Sequence, residues 1–189
     1  MGTKDFNLVD KMIAGWRLSK VLGLIKKNDK VLDLGCGSQG YFLNFIKNKI
    51  KIGYGLDYDV ENRTEGNLIF IKLILKNKLP KEVKSVDKIV MLAVLEHLEI
   101  DSVGNLMNQF KNILNKKGQI ILTTPTPMSK PLLEILAKLN IINRQEIADH
   151  KKYYDKKSMI KIAVENGFKL VSYKLFQMGL NSVVVFEKN

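Results

Sequence analysis

Gly35, Gly37 and Gly40 stand in G-x-G-x-x-G spacing directly after the strand-like run Lys30–Leu34, and Asp57 lies 20 residues beyond the second glycine. Glycines so spaced let the backbone turn tightly, approach a ligand closely and pack the next helix against the strand. This is the chemistry of a nucleotide-cofactor loop, with Asp57 placed to accept hydrogen bonds from a ribose diol. Cys36, the single cysteine, is a small spacer in that turn and excludes an intramolecular disulfide. Two groups titrate near neutrality without perturbation, His97 and His150. His97 follows the apolar run Val86–Val94 at the carboxyl edge of the expected sheet, which makes it the first candidate for a general base, and His150 the second. No metal centre is expected, because Glu96, His97 and His150 are scattered along the chain and fall short of a first shell.

Asp33, two residues ahead of the first glycine, selects the cofactor. An acid inside the turn repels a pyrophosphate seated on a helix N-terminus, whereas it attracts a cation. S-adenosylmethionine has no phosphate and carries both a sulfonium and an ammonium, so it fits where a nicotinamide dinucleotide does not. The run Val31-Leu32-Asp33-Leu34-Gly35-Cys36-Gly37 with Asp57 resembles the first two motifs of the class I S-adenosylmethionine-dependent methyltransferases, of the type 11-like group. The resemblance continues through Val86-Asp87-Lys88-Ile89-Val90, Val94-Leu95-Glu96-His97-Leu98, Leu114–Pro125 and Gly167-Phe168. It implies a cofactor site of Asp33, Gly35, Cys36, Gly37, Gly40, Asp57, Tyr58, Asn77, Ala93 and Glu96. Tyr58, next to the ribose carboxylate, is a candidate to stack on the adenine. Asn77 is the one polar residue able to replace the acid or amide that relatives carry ahead of a Leu-Pro pair, here Leu79-Pro80. The resemblance further implies methyl transfer to an oxygen or nitrogen of a small or carrier-linked metabolite, with S-adenosylhomocysteine as product. An RNA or nucleotide methyltransferase, and a non-catalytic S-adenosylmethionine-binding module, are the alternatives.

Strands alternate with helices over most of the chain, which predicts one α/β domain spanning 1–189. We expect a Rossmann-like, doubly wound fold: a seven-stranded mixed sheet with an antiparallel last strand and helices on both faces. Segment 125–154, with Pro125, Pro127 and Pro131 followed by Leu132, Leu133, Ile135, Leu136 and Leu139, reads as an insertion that overhangs the cofactor as a lid. The formal net charge of +12 points to an anionic acceptor. It supports nucleic acid only weakly, because Arg17, Arg63 and Arg144 are the only arginines and lysine lacks the planar fork of specific phosphate recognition. No apolar run approaches the length of a membrane span, and a cytoplasmic protein is expected.

Overall fold

A computed structural model describes residues 8–74, 78–139 and 149–189. In chain order the elements are α1 (Leu8–Leu22), β1 (Lys30–Leu34), α2 (Tyr41–Ile46), β2 (Ile52–Asp57), β3 (Arg63–Glu65), β4 (Leu68–Lys72) and β5 (Val86–Leu92). There follow a 3-10 turn (Leu95–His97), α3 (Ile100–Ile113), β6 (Leu114–Pro125), a second 3-10 turn (Pro127–Ser129), α4 (Lys130–Lys138), α5 (Lys156–Glu165), β7 (Phe168–Phe176) and β8 (Asn181–Lys188).

Strand side chains alternate between two apolar layers, the pattern of a sheet covered on both faces. Leu32, Leu34, Ile89, Met91, Ile120, Leu122, Val184 and Phe186 pack with Val103, Met107 and Phe110 of α3 and Met159 and Ala163 of α5. Val31, Val90, Ile121, Val183 and Val185 pack on the other face with Val21 of α1 and with Phe42, Leu43 and Ile46 of α2. The strand order is β3-β4-β2-β1-β5-β6-β8-β7, and β8 runs antiparallel to both neighbours. The sheet is thus the expected doubly wound, mixed one, with eight strands instead of seven. The extra strand is Arg63–Glu65, a polar three-residue edge antiparallel to β4.

Other differences are local. On α2 Phe45 is exposed and Leu43 is buried. Trp16 on α1 is 53% exposed, so it is not a core residue. Residues 115–118 belong to β6, where Lys117 has φ +60° and the register against β5 shifts between Val86 and Lys88. The apolar helix expected in the 125–154 insertion forms as α4, with Leu132 and Ile135 and the following Leu139 exposed; the part of the insertion at 140–148 lies outside the described residues. No described helix is long and apolar enough to cross a membrane.

Candidate functional site

β1 and β2 end side by side, and the Gly35 N–H donates to the Leu56 carbonyl at 2.8 Å, so the glycine loop starts beside Asp57. At φ +69° Gly37 turns its N–H onto Asp57 Oδ2 (2.9 Å), while the Asp59 N–H donates to Oδ1 (2.9 Å). Two backbone donors therefore fix the carboxylate before any ligand arrives, and each oxygen keeps a lone pair for a hydroxyl. A Cβ on Gly37 would meet nothing within 4 Å, which leaves the loop open to a ligand at that point. Asp33 is 2% exposed, and burial together with the Asp57 charge pushes its carboxyl up to about 8. A buried acid of this kind suits a cationic cofactor: the missing positive charge is what would restore its ordinary acidity.

Cys36 is buried, its Sγ donates to the Gly37 carbonyl at 3.4 Å, and burial pushes its thiol up, in keeping with a spacer. Tyr58 is 43% exposed beside Asp57. Asn77 lies outside the described residues. Ala93 adopts φ +58°, a conformation that costs a residue with a Cβ about 1–2 kcal/mol. That turn swings the chain back over the loop, so that a Cβ on Gly35 would fall 2.4 Å from Val94 Cγ2. The Leu95–His97 turn is thereby seated next to the cofactor loop.

His150 comes to the same place from the other end of the chain. The Lys151 N–H donates to the Glu96 carbonyl at 2.7 Å, and Asp155 caps α5 by accepting from the Ser158 N–H at 2.8 Å, which fixes the two ends of the segment between. The His97 and His150 rings stand 4.8 Å apart at 67°, and His150 Nδ1 is 3.2 Å from the Tyr153 hydroxyl. Burial lowers the pKa of His97, against a hydrogen bond to the Asp149 backbone and the Asp149 charge. Burial, then the charges of His97 and Arg17, bring His150 down to about 4. Both imidazoles are consequently neutral at physiological pH and able to accept a proton.

Glu96 is 1% exposed, and burial raises its carboxyl to about 7 while the Arg17 charge opposes the rise. Neither of its oxygens makes a hydrogen bond of good distance and angle among the described residues, and the Thr124 hydroxyl stands near enough to oppose the rise as well. Glu96 lies in one cluster with the two histidines. The three residues expected to be scattered each offer a ligand atom within 4.8 Å of the others. Arg17 and the buried Tyr154, whose phenol is pushed up to about 12 by burial and Glu96, were not singled out by sequence. An arginine in a chain whose cations are nearly all lysine was the available signal for Arg17.

Residues 13–173 match the family model described as a methyltransferase domain. No curated protein sequence matches the chain significantly. Among solved structures, a chain of the complex between the Trm112 methyltransferase activator and a methyltransferase of Haloferax volcanii is similar with TM-score 0.72 at 16% identity, covering 95% of this chain and 94% of that one. Magnesium protoporphyrin IX methyltransferase of Synechocystis with bound S-adenosylhomocysteine aligns with TM-score 0.66 at 16% identity, over 100% of this chain and 90% of that one. A methyltransferase of Methanosarcina mazei gives TM-score 0.64 at 16% identity, over 89% and 96%.

Proposed function

The chain belongs to the methyltransferase-domain family and its donor is S-adenosylmethionine, and from that premise we propose that it methylates an oxygen or nitrogen of a small or carrier-linked metabolite at the Glu96–His97–His150 cluster. When bound, the cofactor supplies a methyl group already activated on sulfonium. The protein's task is then to hold, align and deprotonate. Asp57 holds the ribose, Gly37 leaves room for the backbone to approach, and Asp33 supplies the negative charge. His97 takes the proton of the acceptor hydroxyl, His150 stands behind it, and α4 with its exposed leucines serves as the lid. The observation that carries this reading is the convergence of both histidines, neutral, on the turn that packs against the cofactor loop. Release of S-adenosylhomocysteine, screened over hydroxyl- and amine-bearing acceptors, tests it; activity on RNA alone would overturn it.

Two consequences concern the donor. Asp57→Ala removes the ribose acceptor and the anchor of the Gly37 N–H together, so S-adenosylhomocysteine should bind about 1–3 kcal/mol more weakly in calorimetry. Unchanged affinity would remove Asp57 from the site. The second consequence is a pH dependence. Below about 8 the Asp33 carboxyl retains a proton that a cationic cofactor must displace. Affinity for S-adenosylmethionine should therefore rise with pH from 6 to about 8, by at most about tenfold per unit, and level off above. In the free protein the sign reverses: the native state holds that proton and the unfolded state does not, so stability declines as pH rises from 3.8 towards about 8. Asp33→Asn should bind more weakly and lose the slope; a wild-type affinity flat from pH 6 to 8 would refute the pairing.

A further inference from the structure

We propose that Glu96, His97 and His150 form a binding site for one divalent transition-series cation, Zn2+ being the first to test. The chain has two histidines, and the fold brings both, from segments separated by α3, β6 and α4, onto one buried carboxylate, with ligand atoms within 4.8 Å of one another. A tetrahedral ion with bonds of roughly 2.0–2.1 Å places its donors about 3.3 Å apart, so modest side-chain rotation closes the set.

Three features point to a ligand rather than to packing. Both Glu96 oxygens are buried and make no hydrogen bond of good distance and angle among the described residues, with only the Thr124 hydroxyl standing near them, whereas buried carboxylates as a rule are fully partnered. The His97 Nδ1 is also buried and unpartnered, which leaves Nε2 for the bond to the Asp149 backbone. In the tautomer whose Nδ1–H donates to the Tyr153 oxygen, His150 keeps its Nε2 lone pair free. Each imidazole thus has one nitrogen steered by an outer partner and the other available, the arrangement by which proteins orient metal-bound histidines.

The choice of ion follows from the donors and from the neighbouring charge. Two imidazoles and one carboxylate suit zinc and its transition-series neighbours, whereas magnesium and calcium prefer oxygen donors. Arg17 acts on all three groups and opposes any cation held by charge alone, so the ion must be held by coordination to nitrogen. Three protein ligands leave a coordination position open.

The location rests on the acceptor-site reading above, but the test does not; ion and proton compete for the one free nitrogen of His97, so His97 serves as base only while the cation is absent. Calorimetric titration of the full chain, saturated with S-adenosylhomocysteine, should show about one equivalent of ZnCl2 binding and none of MgCl2. Glu96→Gln and His150→Ala should each weaken zinc binding at least tenfold, and Tyr153→Phe by about 10- to 100-fold, with S-adenosylhomocysteine affinity as the control for folding. Absence of zinc binding, or binding equally tight in all three variants, overturns the site. If zinc fails to bind while His97→Ala still abolishes turnover, the acceptor site stands without a metal. If zinc binds and His97→Ala turns over normally, the cation site stands and the base assignment falls.

Discussion

His97→Ala should lower the rate of methyl transfer by roughly 10²–10⁴ while leaving S-adenosylmethionine affinity within about twofold of wild type, the range expected when a positioned acid–base group is removed. The asymmetry follows from where the side chain stands. The cofactor loop draws its geometry from Gly37, Asp57 and the Leu56 carbonyl, none of which His97 touches. What His97 contributes is a neutral ring nitrogen, held by burial in its unprotonated form beside His150. The loss should fall on kcat and be nearly absent from the dissociation constant measured by calorimetry. Near-normal turnover in the mutant would sink the assignment.

Gly40→Ala should unfold the protein at a markedly lower temperature, with a loss of about 2–5 kcal/mol. Two independent strains add. Gly40 has φ +58°, and an ideal Cβ there would lie 2.2 Å from Phe70 Cε1. The ring has no room to retreat, since Phe70 is 1% exposed and the Arg63 guanidinium lies over it, 4.0 Å from the centroid. For a chain of this length such a loss lowers Tm by roughly 4–20 °C. Gly66→Ala separates the two contributions, because Gly66 has a similar φ of +60° but nothing within 4 Å of its would-be Cβ. If the two variants melt together, the clash with Phe70 has been relieved elsewhere and the steric argument fails.

The geometry of the glycine loop was readable because its determinants are contiguous. Spacing reveals Gly35, Gly37 and Gly40, and position alone marks Asp33 and Asp57, since a strand, a tight turn and a helix must follow one another in the chain. The histidine cluster proposed as the acceptor side was only half readable. His97 could be placed at the end of a strand, but its meeting with His150 depends on the path of β6 and α4, which no local pattern encodes. That Glu96 clusters with the histidines was not legible either, because nothing in Leu95-Glu96-His97 says which way the carboxylate turns. Among the strands, Arg63–Glu65 escaped detection because three polar residues carry no period-two signal; its pairing is supplied by β4. On α2, one turn could not distinguish Leu43 from Phe45, since both are apolar and only the approach of the sheet decides which is covered.

The hydrogen bond from Lys151 to Glu96 also orders events in time. The cofactor loop and its aspartate are complete within the first sixty residues and close through short loops, whereas the second histidine reaches its partner only after most of the chain has been made. During synthesis from the N-terminus, the glycine loop and Asp57 are therefore made well before His150. The contact from Lys151 to Glu96 is one of high sequence separation, the class whose closure slows folding.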